Sequence, residues 1–221
     1  MIRTGEKDLD RIVQGFRYGQ LVVVAGQRET GKTRLIVSII NSSLEEDSNI
    51  VHFSQHGAAG DFNDASAFSL DLDDEDAAYY YPFYVNSVSM SALTKVIETL
   101  NKDPGLDLLI IDTVFMINDA QNTEDRNWNV QKIKNIAKDQ NFTVIVTVPL
   151  ARRHFGLRQA PLPTIDDIKE VFYPGIADTV ILLDDTGKKN EIGDRTIKGT
   201  VAKNNYGKTG EYEFVLLRSR L

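Results

Sequence analysis

The sequence predicts an α/β fold: a mostly parallel central sheet, helices on both faces, and antiparallel strands at the C-terminal edge. Three observations point to it. Gly26-Gln27-Arg28-Glu29-Thr30-Gly31-Lys32-Thr33 spells G-x-x-x-x-G-K-T, set between a short apolar β-branched run and a segment long enough for a helix. More apolar runs of strand length recur along the chain, with stretches of helical length or spacing between several of them. The last three runs are separated by short polar turns instead of helices.

In chain order, Leu9 to Phe16 reads as a short amphipathic helix ended by Gly15. Arg17-Tyr18-Gly19 turns into a first strand at Gln20 to Ala25. The glycine loop follows, then a helix from near Lys32 to about Glu46, then a second strand at Ile50 to Ser54. Residues 55–82 are the least regular stretch. Seven acids lie between Asp61 and Asp76 with no Lys or Arg among them, which reads as a solvated segment of like charges and not as a metal or basic-partner site. Tyr79-Tyr80-Tyr81 reads as the edge of a core or interface. Phe83 to Val85 is a third strand, and Ser91 is the expected N-cap of a helix from Ala92 to Leu100.

Leu106 to Asp112 is a largely apolar strand ending in a carboxylate. Residues 118–127 are polar and loop-like. Val130, Ile133, Ile136 and Ala137 keep helical spacing over 130–139. Phe142 to Val148 is another buried strand, and Arg152-Arg153 opens a loop that runs through Pro163. Strands at 178–183, 198–203 and 212–217 complete the chain, with turns at 187–194 and 204–210. No repeat or linker interrupts it, so residues 1–221 read as one nucleotide-binding domain.

The loop's spelling has a chemical reason. Gly26 and Gly31 permit backbone conformations closed to residues with a Cβ. The loop can then wrap an anion with its N–H groups inward. The helix beginning near Lys32 adds its positive end at the same spot. Lys32 would reach the β- and γ-phosphates, and the Thr33 hydroxyl would ligate Mg²⁺. Asp112, ending an apolar strand, would hold the same Mg²⁺ from the opposite side, through water.

Composition narrows the rest. Hydrophobic residues are 42% and charged residues 26%, an ordinary globular balance for 221 residues. No stretch of about 18 apolar residues occurs, so no membrane span is expected, and the N-terminus lacks the apolar core of a signal peptide. The chain has no cysteine, which excludes disulfides, thiol catalysis and cysteine-ligated zinc and is compatible with a cytoplasmic setting. A net charge of −7 disfavours broad nonspecific nucleic-acid binding by an isolated chain, although a local basic patch or a channel between subunits stays open.

Thr4-Gly5 with Leu9-Asp10, then Gly15-Phe16-Arg17-Tyr18-Gly19-Gln20-Leu21, leads into the loop and resembles the start of the RecA-like ATPase domain of DnaB-type replicative helicases. Ile110-Ile111-Asp112 resembles the family's second nucleotide motif. Asp167-Ile168-Lys169-Glu170 followed by Ile176-Ala177-Asp178 is similar to its acidic stretch before a late strand. Ala202-Lys203-Asn204-Asn205-Tyr206-Gly207-Lys208-Thr209-Gly210 resembles its late motif, K-x-R-x-G-x-x-G. The resemblance covers essentially the whole chain, without the N-terminal domain and linker helix of a full replicative helicase. It implies a RecA-like P-loop fold that takes ATP and Mg²⁺.

Three departures qualify it. A family glutamate that activates the attacking water is matched by His56, or by Gln55 after a one-residue shift, and neither is a carboxylate. His56 could serve as a base, whereas Gln55 could only orient water. A family glutamine that senses the γ-phosphate is matched by Pro149. The trans-acting arginine finger is matched by Asn205, with Lys203 retained. Binding groups are kept and hydrolysis groups are replaced. The expectation is an ATP-binding domain linked to DNA replication or recombination, with weak or re-sited hydrolysis resting on His56, Gln55 and Lys203. The rival is a nucleotide-binding assembly or regulatory module without helicase activity. Subunits are expected to form a homo-oligomeric ring or filament. Single-stranded DNA, if bound, would meet Arg152, Arg153 and Arg158, together with His154, in an assembled channel.

Overall fold

The computed structural model describes residues 1–55, 79–102, 105–151 and 162–217. The elements are α1 (Lys7–Val13), β1 (Leu21–Gly26), α2 (Lys32–Leu44), β2 (Ile50–Ser54), β3 (Tyr80–Tyr84), α3 (Met90–Leu100), β4 (Leu108–Asp112), α4 (Thr123–Gln140), β5 (Thr143–Pro149), β6 (Thr179–Lys189), β7 (Arg195–Asn204) and β8 (Gly210–Leu216). One eight-stranded sheet runs in the order β3-β2-β4-β5-β1-β6-β7-β8. Pairs from β3 to β6 are parallel. The last two pairs are antiparallel. This is the expected mostly parallel sheet with an antiparallel C-terminal edge.

Strand alternation decides what covers each face. Val23, Leu109, Ile111, Val144 and Val146 point to one side, where they pack on Leu93 and Ile97 of α3 and Val130, Ile133 and Ala137 of α4. Val22, Val24, Ile110 and Ile145 point to the other, against Leu9 and Val13 of α1 and Leu35, Ile36 and Ile39 of α2. Both faces are covered, so the central strands are buried along their length and mostly apolar, with polar residues mainly toward their carboxyl ends. By the same alternation His52, Ser54, Asp112, Thr147 and Pro149 face the α2 side, near the carboxyl ends of their strands.

Several boundaries differ from the sequence expectation. The N-cap of α3 is Ser89, whose hydroxyl accepts from Ala92 N–H at 3.2 Å; Ser91 lies inside the first turn. Helix α4 starts at Thr123, capped by the Asn122 side chain accepting from Asp125 N–H at 2.9 Å. The stretch expected as loop to Asn127 is therefore partly helix; residues 123–127 are all polar, so no apolar period marks the first turn. Strand β3 begins at Tyr80, so the tyrosine run forms the sheet's edge strand. Strand β6 continues to Lys189, past the expected end at Leu183, as a twisted arm paired with β7. Outside the described residues lie His56, the acidic run 61–76, Arg152, Arg153, His154 and Arg158. No helix among the described residues is long and apolar enough to cross a membrane.

Candidate functional site

The loop joins β1 to α2 over the carboxyl ends of the central strands. Gly26 is fixed by space: a Cβ there would lie 2.5 Å from Thr30 Oγ1 and 2.8 Å from the Leu183 carbonyl oxygen. Thr30 Oγ1 in turn donates to the Gln27 carbonyl at 2.9 Å, closing the loop on itself. Gly31 is fixed by conformation, with φ 83°, and a Cβ there would lie 3.1 Å from the Phe214 ring of β8. Glu29 also has positive φ, 62°. Its carbonyl accepts from Arg195 Nη2 at 2.8 Å, while Arg195 Nη1 pairs with Asp185 at 2.7 Å. The β6–β7 arm thus props the loop from the side.

Helix α2 has Gly31 as N-cap, no side chain bonded to its first amides and no acid in its first turn. Its positive end is left facing the loop, the arrangement that suits an anion. The Lys32 ammonium donates to the Gly26 and Gln27 carbonyls at 2.9 and 2.6 Å, folded over its own loop. Burial lowers its pKa from the ordinary lysine value; the Asp112 charge opposes this and Arg28 adds to it.

Across the strand ends runs a buried polar row. Sheet register sets Ser54 opposite Asp112 and Thr147 opposite Val24, and the pairing of Ile111 with Val146 puts Asp112 next to Thr147. Thr147 Oγ1 donates to Asp112 Oδ1. One step deeper on β2, His52 Nδ1 lies 2.9 Å from Tyr80 Oη. Burial pushes the His52 pKa down to about 4, against the pull of the Asp112 charge. Gln55 follows the row: its N–H bonds the Asp112 carbonyl at 3.3 Å, and its side-chain amide donates to the Asn86 carbonyl at 3.0 Å. Among the described residues no cluster of three or more His, Cys, Asp or Glu could hold a metal. A cation here would rest on Thr33, Asp112 and the phosphates themselves, as Mg²⁺ in phosphate sites does.

Lys203 and Asn205 sit elsewhere. Asn205 donates from its backbone to the Asp178 carbonyl at 2.9 Å and from its side chain to Asp178 Oδ1 at 3.1 Å. Lys203 Nζ donates to the carbonyls of Gly175 and Ala177 at 3.1 and 2.5 Å. The Lys203 pKa is lowered by burial, with Asp178 opposing and Lys134 adding. Asp178 precedes β6, whose Leu183 lies opposite Gly26; at about 3.3 Å per residue the two ends are roughly 17 Å apart. These side chains therefore do not reach the loop of their own subunit.

The family model described as "DnaB-like helicase C terminal domain" matches residues 1–64 and 76–219. The chain belongs to this family. The replicative DNA helicase DnaB of Geobacillus stearothermophilus is 25% identical over 249 residues, covering 98% of this chain and 55% of that protein. The DnaB of Helicobacter pylori strain 26695 is 23% identical over 199 residues, covering 76% and 40%. This DnaB-like chain thus spans about half the length of the curated relatives it matches. The solved structure of a DnaB-like replicative helicase, described with its interactions with primase, matches at TM-score 0.76 and 19% identity over 98% of this chain and 61% of that one. A second solved structure, described as an ATPase domain, matches at TM-score 0.72 and 17% identity, over 99% and 91%. At these identities the structural likeness shows the fold, and the expected RecA-like architecture is borne out.

Within the DnaB-like pattern, Pro149 ends β5 and lines a cleft of about 850 Å³ beside the loop, with Arg28, Glu29, Phe115 and Arg126. The Arg126 guanidinium stacks 5.3 Å from the Phe115 ring centre and donates to the Val171 carbonyl at 2.9 Å. Sequence reading missed Thr147, Arg195 and Arg126. Thr147 is hidden among β-branched strand formers. Arg195 reaches Glu29 from far along the chain, and no local pattern announces such a contact.

Proposed function

We propose that this domain binds a magnesium nucleoside triphosphate, ATP in the first instance, and hydrolyses it slowly as one unit of a replicative or recombination assembly. The observation that carries the reading is the shared rim: an anion cradle from Gly26 to Thr33, with an uncapped positive helix end, lies beside the buried carboxylate of Asp112. The donor set fits the ligand. Loop amides and Lys32 would hold the phosphates, and Thr33 with Asp112 would hold Mg²⁺, which when bound neutralises charge on the phosphoryl oxygens. Lys32 would exchange its two loop carbonyls for phosphate oxygens, a gain in charge complementarity.

Slow turnover is supported by the side chains at the three hydrolysis positions. Gln55 cannot take a proton from water, Pro149 has no side-chain hydrogen bond to offer, and Asn205 carries no charge. Binding survives because the cradle acts on the ground state as well. His56 is the remaining candidate base, and Lys203 the remaining cation toward a neighbour's site in a ring or filament. Arg152, Arg153 and Arg158 are the proposed contacts to single-stranded DNA, and residues 1–221 the proposed single domain.

Titration calorimetry with magnesium ATP should show binding that Lys32→Ala weakens strongly; equal affinity overturns the assignment. Steady-state hydrolysis should stay below about 1 s⁻¹, the lower end for working enzymes, with or without single-stranded DNA. A faster wild type whose activity is abolished by His56→Ala would show catalysis re-sited on that histidine. DNA anisotropy unchanged by Arg152→Ala/Arg153→Ala would remove those residues from the reading.

A further inference from the structure

We infer that Thr147 is a positioning residue for the metal-side carboxylate, an inference that rests on the nucleotide reading above. Asp112 and Thr147 lie side by side on β4 and β5, on the face toward α2, at the strand ends under the loop. Both are buried, and Thr147 is fully so. A hydroxyl in the middle of Val144-Ile145-Val146-Thr147-Val148 contributes nothing to apolar packing that valine would not. Among the described residues its one side-chain hydrogen bond goes to Asp112 Oδ1.

The bond has a directional consequence. An ionised carboxylate only accepts hydrogen bonds, and its two oxygens rotate together about one torsion. Fixing Oδ1 on Thr147 therefore fixes where Oδ2 lies. Oδ2 has no hydrogen-bond partner among the described residues, which leaves it for a metal-bound water. Asp112 is also close enough to Lys32 for its charge to oppose the burial shift on that ammonium. The carboxylate is thus poised between the loop's cation and the place of the metal, and Thr147 holds its angle. Hydrogen-bond partners behind a ligating carboxylate typically change metal affinity by about 10–100-fold when removed. A carboxylate acting through water falls at the low end of that range.

The test separates metal from nucleotide. A fluorescent mant-ATP is titrated into wild type, Thr147→Val and Thr147→Ser, once in EDTA and once across a Mg²⁺ series, with thermal melts of each protein. Thr147→Val keeps the volume and strand propensity but leaves Asp112 Oδ1 without its donor, so its melting point should fall by a few degrees while its affinity in EDTA stays near wild type. Its Mg²⁺ midpoint should rise about tenfold, and Thr147→Ser should restore it to within about twofold. An unchanged Mg²⁺ midpoint in Thr147→Val, or a loss of affinity equal in EDTA and Mg²⁺, overturns the inference. So does a serine variant that behaves like valine. Should valine disturb folding, the serine variant compared with Thr147→Ala gives the same decision on the Mg²⁺ midpoint. A wild type that binds mant-ATP in neither condition instead removes the nucleotide reading itself.

Discussion

Replacing Gly26 by alanine probes the loop where its geometry is tightest. The new methyl group would lie 2.5 Å from Thr30 Oγ1 and 2.8 Å from the Leu183 carbonyl. Thr30 can rotate away, at the expense of its 2.9 Å bond to the Gln27 carbonyl. Leu183 cannot, because its carbonyl belongs to β6 and is held in the parallel ladder opposite Gly26 itself. The strand pair must part by about half an ångström, an overpacking that costs about 1–3 kcal/mol. For a chain of this size each kcal/mol lowers Tm by about 2–4 °C, so the melt should fall by about 2–12 °C. Calorimetric melts without nucleotide measure this directly. Gly210→Ala is the control, since the atoms nearest its Cβ would belong to the Ile12 side chain, the closest at an ordinary 3.4 Å. Magnesium ATP affinity should drop in the Gly26 variant and stay put in the control. A Gly26→Ala protein with wild-type Tm and wild-type affinity would refute the claim that space at this position fixes the loop.

Removing Arg195 releases the Glu29 carbonyl from its 2.8 Å bond to the β6–β7 arm. Arg195→Ala should weaken nucleotide binding by about three- to tenfold, in line with a partly exposed charge-assisted bond, and unchanged calorimetric affinity would show that the arm does not prop the loop. Stability should also depend on pH through His52, whose pKa falls from 6.5 unfolded to about 4 folded. The unfolded chain then binds the proton first, so this contribution is full above about pH 6.5 and is lost as pH drops toward 4, by up to about 3 kcal/mol. Urea unfolding between pH 7 and 5 should show the slope, and His52→Gln should flatten it; an equal slope in the variant would count against the buried neutral histidine. Asn205→Arg should raise hydrolysis only under conditions where subunits associate, read by phosphate release at several protein concentrations. A rise independent of concentration would rule out a contact made in trans.

Much of this domain was written in local sequence. Strands β1, β2, β4 and β5 are apolar runs because both sheet faces are covered, and such runs carry their own signature. The loop from Gly26 to Thr33 was equally legible, since its spelling is local, although the space at Gly26 is closed in part by Leu183 of β6. The place of Asp112 at the end of an apolar strand was legible too, and β4 does end there. Less was legible where polar residues form regular structure in solvent. The first turns of α4 and the outer half of β6 were read as loops, because their stability comes from capping, pairing and neighbours and not from an apolar period.

What only the tertiary structure decided is contact between residues distant in sequence. Strand order places Thr147 beside Asp112, and neither segment alone specifies that neighbour. Arg195 meets Glu29 because β7 folds back along β6. Lys203 and Asn205, matched in sequence to groups that serve a neighbour's nucleotide, turn out to brace Asp178 and the turn before β6 at the far end of the sheet. The physical reason is the same in each case. Backbone propensity and apolar periodicity act over a few residues and can be read from them, whereas hydrogen-bond partners are fixed by sheet register and chain crossing, which emerge only when the whole core has packed.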